Sequence, residues 1–248
     1  MIHLLSKMIN EIADSAEASH IKKHTAYFIM LAPVIIMFFE TIFLAYPGTR
    51  ALSVWMHQEN HPIEIITFLV FLMAGIMGLR LSYKIKMSTE KSLVYGFYLF
   101  FSIALLFIAM EEIAWGQWFI GFETPAAWKS INMQGETTLH NIVGLQGKSE
   151  IFQLIFGFGG LLGILLSYYP RFEKIGSSIL LLPWFIIIIL YATLDLYNDF
   201  IPIQARFDYY INMTDELIEL LIALASLLYI QLNSRKMSYS PVSKKSKL

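Results

Sequence analysis

Two adjacent carboxylates, Glu111 and Glu112, interrupt an apolar run that is otherwise long enough to cross a membrane, within "FIAMEEIAWGQWFIGFETPAAWKSINMQGETTLHN", residues 107–141. An ionisable group at membrane depth costs on the order of several kcal/mol unless it faces a partner or a water-filled cavity, so it marks a functional site by default. With His140 of the following loop, the pair has the residue types of a general acid and base. The same types suit a hard or borderline divalent metal ion, for which Glu112, His140, Asp195 and Glu216 are the candidate ligands. A third reading is a buried hydrogen-bond network that ties the loop to the helices without chemistry. There is no HExxH, and one histidine lies near the pair.

The loop is rich in groups that either touch a substrate or shape the loop itself: Gln117 at its approach, then Glu123, Asn132, Gln134, Glu136 and Asn141. In "GFETPAAW", Thr124 is expected to cap a short interfacial helix whose first position is Pro125. Trp115, Trp118 and Trp128 are expected in the aromatic belt of the membrane interface. Gly159 and Gly163 have the spacing of close helix packing, while His57 and His61 are read as surface residues.

The elements that must position these groups follow from composition. Of 248 residues, 56% are hydrophobic and 15% charged, which points to an all-α, polytopic helical membrane protein rather than a soluble domain. A crossing helix needs ~20 mostly apolar residues, and spans are predicted at about 26–46, 63–83, 93–119, 151–169, 178–197 and 211–232. They form one transmembrane domain, 25–232. Before it, residues 1–24 carry Ile2, Leu5, Met8, Ile9 and Ile12 at helical spacing, as an amphipathic helix on the membrane surface would. This segment lacks the continuous apolar core of a cleavable signal peptide. The tail 233–248 is basic, Ser-rich and expected to be disordered. With no cysteine, disulfides and thiolate chemistry are excluded.

Lys and Arg are retained on the cytoplasmic side of a membrane. Fourteen of the eighteen fall in the N-terminal segment, the second and fourth connections and the tail; only Arg50, Lys129, Lys148 and Arg206 lie in the other three loops. Both termini are therefore expected in the cytoplasm. The acids then gather at the outer ends of the helices: Glu40, Glu59, Glu64, the Glu111–Glu112 pair, Asp195 and Asp199, and Asp215, Glu216 and Glu219. Residues four apart share a helix face, so Asp195/Asp199 and Asp215/Glu219 each form an acidic edge. Glu111 and Glu112 point about 100° apart, so one at most faces a given focus squarely.

The combination Glu111-Glu112-Ile-x-Trp115-Gly116-Gln117, Gly121-x-Glu123-Thr124-Pro125 and Asn132-x-Gln134-Gly135-Glu136-x-x-Leu139-His140-Asn141 resembles the motif set of an uncharacterised bacterial multi-pass membrane family, over about 31 residues. That resemblance implies the bacterial inner membrane and no particular activity. A partial likeness to the CAAX-type (CPBP) intramembrane proteases stops at the Glu pair: Gly116 stands where their motif has Arg, Glu136 where it has Phe, and no His follows His140. The leading expectation is a hydrolase or transferase acting on a lipid-linked or membrane-embedded substrate, with Glu111, Glu112 and His140 as catalytic groups. A cation- or proton-coupled transporter is the second reading, and an assembly or scaffold protein using the Gly-rich fourth span is the third. The expected partners are the lipid bilayer and that substrate. No nucleic acid is expected, and nothing in the chain specifies an oligomeric state.

Overall fold

A computed structural model describes residues 2–58, 60–88, 92–139, 141–144, 147–201 and 204–238. His140, Glu59 and the tail from 239 onward lie outside the described residues. The fold is all-α, with no strand among the described residues. Six helices are long and apolar enough to cross a membrane: α2 (Lys23–Ala45), α4 (Pro62–Lys86), α5 (Ser92–Glu112), α8 (Ser149–Ser167), α9 (Leu182–Phe200, entered through a 3-10 turn, Ile179–Leu181) and α10 (Ala205–Ser238). They mark the chain as a multi-pass membrane protein. The shorter helices are α1 (Ile2–Ala18), α3 (Pro47–Met56), α6 (Gln117–Ile120) and α7 (Ala126–Lys129).

The six spans fall where apolar length predicts, and three boundaries differ for physical reasons. Span three ends at Glu112 instead of running to 119, because Ala114, Trp115 and Gly116 take left-handed φ of 45°, 57° and 84° and reverse the chain. The last helix continues to Ser238, six residues beyond the predicted end. Its final turns are held by Asn233, whose amide donates to the Gly176 carbonyl at 3.1 Å, and by a 3.2 Å ion pair between Lys236 and Glu173. The connection after the first span is itself helical, with Pro47 opening α3 at a position that needs no amide donor.

Helix α10 is the spine. Its 34 residues extend about 51 Å at 1.5 Å per residue, well beyond the ~30 Å of hydrocarbon. It packs on α4, α9, α2 and α8, and α4 packs extensively on α5. Ile218, Leu221, Ala225 and Ile230 of this helix are fully buried. Elsewhere polar tips reach backbone carbonyls across helices, as a medium without water requires. Trp184 donates to Ile29 at 2.8 Å, Tyr98 to Lys174 at 2.8 Å and Tyr229 to Ile175 at 2.6 Å. The last two bonds clamp the 170–178 connection against α5 and α10. The amphipathic α1 does more than lie on a surface, because Ile12 and Ala16 enter the core beside α2 and the 3-10 turn.

The glycines of α8 divide by face. A Cβ on Gly160 would sit 2.3 Å from the ring of Phe185, one on Gly157 2.5 Å from Ile189, and one on Gly163 3.2 Å from Ser177, whereas Gly159 has nothing within 4 Å. Close packing inside the chain therefore uses Gly157, Gly160 and Gly163 and leaves Gly159 on the outer face. Gly160→Ala overpacks the α8–α9 contact and costs about 1–3 kcal/mol, read as a lowered unfolding midpoint in detergent. The neighbouring Gly159→Ala leaves that midpoint unchanged or slightly raised.

Candidate functional site

The cap over one end of the bundle begins with the left-handed turn at 114–116. Positive φ at two non-glycine residues costs of order 1–3 kcal/mol each and persists only where the surroundings enforce it. Here the enforcement comes from Glu111. Its Oε1 accepts the Trp115 indole N–H at 2.5 Å, and its Oε2 accepts the backbone N–H of Leu139 at 2.6 Å. One buried carboxylate thus holds both the start of the cap and its far side.

Gln117 provides a second fastening. Its amide N–H donates to Thr124 Oγ1 at 2.9 Å, and its Oε1 accepts the Thr137 backbone N–H at 3.1 Å. Thr124 in turn donates to the Gly135 carbonyl at 2.6 Å. Thr124 is therefore a cross-loop tie and not the expected helix cap; Pro125, with extended ψ, occupies the capping position of α7, one residue too late for Thr124 to reach.

The loop motif residues fold the loop. Asn132 Oδ1 accepts the backbone N–H groups of Gln134 and Glu136 at 3.1 and 3.0 Å, while its amide donates to the Thr138 carbonyl at 2.8 Å. This is a side chain standing in for a turn of backbone. Asn141 donates to Gln134 Oε1 and, at 3.4 Å, to Glu136 Oε2. An isolated antiparallel bridge between Asn132 and Ile142 closes the loop. Glu123 stands exposed. Of the loop residues singled out by type, then, Asn132, Gln134, Glu136 and Asn141 hold one another, and Gln117 holds Thr124 and Thr137.

Glu112 turns the other way. The charges acting on it are those of Glu216, Glu64 and Glu111, and Glu219 feels Glu112, Glu216, Asp215 and Glu64. Glu64 of α4, Glu112 of α5 and Glu216 and Glu219 of α10 thus lie within electrostatic range of one another. Asp195 belongs to a second group, with Asp215, Glu150, Asp199 and Asp208 as its charged neighbours. In that group Asp215 accepts from Gln153 Nε2 at 2.7 Å and from Ser149 Oγ at 3.2 Å, joining α10 to the start of α8. The four metal-ligand candidates are accordingly split: Glu112 and Glu216 are neighbours, Asp195 stands in the other group, and His140 lies outside the described residues. Among the described residues no three His, Asp or Glu side chains are arranged to hold a metal ion.

The outer acids read from the sequence included Glu64 and Glu219 but not Glu150 and Gln153. The last two share a face at i, i+3 on the first turn of α8, which is the signal that points to them. A separate buried network also emerged. Ser53 donates to Glu40 Oε1 at 2.6 Å, His57 Nδ1 donates to the Ser53 carbonyl at 2.7 Å, and His57 Nε2 lies 3.6 Å from Glu40. His57 is buried by this contact rather than exposed as its loop position suggested, since α3 folds down onto α2.

Beside the Glu111 anchor runs an apolar groove of about 440 Å³, lined by Trp115, Pro125, Ala127, Trp128, Thr137 and Leu139. The indole N–H of Trp128 is buried there with no hydrogen-bond partner among the described residues. An unsatisfied buried donor costs about 1–3 kcal/mol.

Replacing Glu111 by Ala leaves the Trp115 and Leu139 donors without their acceptor. The expected result is a cap destabilised by about 1–3 kcal/mol and cleaved faster between 121 and 144 in limited proteolysis, with the six spans intact by circular dichroism. Trp115→Phe, which keeps the ring and removes the N–H, gives a smaller effect in the same direction.

No family model matches the chain, and no curated protein or solved structure is similar to it.

Proposed function

We propose that the capped end of the bundle is an outward-facing acid–base site that hydrolyses or transfers a group on a lipid-linked or other membrane-embedded substrate. The observation that carries this reading is the meeting of two unlike surfaces. An apolar groove is built from residues of the same cap whose anchor, Glu111, adjoins Glu112 and its acidic neighbours. An acyl or prenyl chain suits the groove. The distribution of Lys and Arg supports the outward orientation, and with the motif resemblance it supports the bacterial inner membrane.

Carboxylates that share a site need not ionise together, and such a pair can serve as base and acid in one reaction. Glu112 takes the proton of the attacking water or hydroxyl in this reading. A neighbouring carboxyl group on α4 or α10, or His140, returns one to the leaving oxygen. Glu111 positions the cap and does not itself react.

A second reading has one observation in its favour. Through Glu219 and Asp215 the glutamate group continues into the Asp195–Glu150 group, a series of carboxylates such as proton- or cation-coupled carriers use.

The test is incubation of the purified protein in nanodiscs made with a bacterial total-lipid extract, with products followed by lipid mass spectrometry. Wild type is expected to generate new lipid species. Glu112→Gln is expected to slow their formation by about 10²–10⁴-fold at unchanged expression and unfolding midpoint, and His140→Ala to reduce it less. Unchanged lipids, together with proton or cation flux in liposomes that Glu112→Gln abolishes, would establish the carrier reading instead.

A further inference from the structure

The cap carries polar side chains inside and apolar ones outside. Asn132 and Thr138 are 5% and 1% exposed, and the Asn132 side chain spends its bonds on Gln134, Glu136 and Thr138 of the same loop. Ile131, Met133 and Val143 flank the Asn132–Ile142 bridge, where the Met133 N–H donates to the Asn141 carbonyl at 2.8 Å and the Val143 N–H to the Ile131 carbonyl at 2.9 Å. Successive side chains of an extended pair alternate between faces, which sets these three on the side away from Asn132. All three are exposed, Met133 at 66% and Val143 at 65%. Folding in water drives the opposite arrangement, and a contiguous exposed apolar face marks a surface that something apolar covers.

What covers it follows from the surface the cap adjoins. On α5, Phe100, Ile103 and Phe107 recur at i, i+3 and i+7 and are exposed, the stripe that a spanning helix turns to lipid. The ring of Phe107 meets that of Trp115 edge to face, with centroids 5.3 Å apart. Trp115 also lines the apolar groove, together with Trp128 and Leu139. The lipid-facing stripe of α5 therefore continues through Trp115 into the groove. Residues 113–147 carry three Asp, Glu, Lys or Arg side chains, Glu123, Lys129 and Glu136, so little charge is desolvated when the cap meets hydrocarbon.

We propose that the cap is seated in the bilayer interface at its end of the bundle, with Ile131, Met133 and Val143 among the lipid acyl chains and the Trp115–Trp128 groove open sideways to them. An interfacial element of this kind sinks about 5–10 Å into the boundary of headgroups and chains. A lipid chain then enters the groove from within the membrane without passing through water. The seating does not depend on the acid–base chemistry of the glutamates, and its measure is depth, not activity.

The chain has no cysteine, so one introduced cysteine carries a spin label to one place. Met133→Cys, Val143→Cys and, as the lipid-facing reference, Phe100→Cys are labelled in the full chain and placed in nanodiscs of phosphatidylethanolamine and phosphatidylglycerol. Collision of each label with oxygen, which concentrates in the chains, is compared with collision with a nickel chelate, which stays in water. The oxygen-to-nickel ratio at 133 and 143 is expected to approach that at 100 and to exceed severalfold that of a lipid labelled at its headgroup. Two positions on the face keep the test open if one variant fails to fold. Lipids brominated along the acyl chain are expected to quench the fluorescence component that Trp128→Phe removes. A ratio at 133 and 143 no higher than that of the headgroup label means a cap in water and overturns the proposal. Exclusion of both reagents means a face covered by protein, such as a second copy of this chain, and overturns it equally. A Trp128 component quenched by aqueous iodide and not by brominated chains overturns the sideways opening of the groove.

Discussion

A carboxylate at the end of a membrane helix must find donors, and Glu111 finds its two in the chain segment that it has to restrain. Trp115 lies one turn further along the sequence, and Leu139 lies on the far limb of the loop. Those two bonds supply the restraint that a left-handed turn at Ala114 and Trp115 requires. The turn in turn directs Gln117 toward Thr124 and Thr137, and these bonds bring the Asn132–Asn141 loop back over the bundle. Without the Glu111 bonds, α5 has no reason to stop at Glu112, and the cap has no hinge.

The same arrangement separates two adjacent residues into different roles. Being about 100° apart on a helix, Glu111 and Glu112 cannot serve one centre equally. The first is consumed by structure. The second feels acids from α4, which packs closely on α5, and from α10, which packs on α4. The spine helix α10 links these acids to the second acidic group, because Asp215 and Glu219 lie one turn apart on it. Its opposite end carries Asn233 and Lys236, which hold the 170–178 connection and close a small polar pocket under α1. One long helix therefore organises polar sites at both ends of a bundle whose middle is apolar.

Much of the architecture was legible because hydrophobic length is a direct physical requirement of a bilayer, and all six spans were found by it. The ends were less legible, since they depend on local bonds: the reversal at 114–116 and the extension to Ser238 are both made by side chains reaching distant backbone. Thr124 shows the same limit, because a capping residue and a cross-loop tie have the same residue type and differ only in which acceptor is near. His57 is similar. Its loop position suggested exposure, and the packing of α3 on α2 buried it against Glu40.

By itself the sequence determined that this is a six-span helical membrane protein, that its basic residues favour one side, and that its acids crowd the other ends of the helices. These properties are carried by composition and period, which no fold can change. Only the tertiary structure decided which acids share a centre, which loop residues hold one another, and which glycines of α8 face a neighbour. Each of those depends on the rotation of one helix against another, and a hydrophobic run that is apolar all round carries almost no information about that rotation.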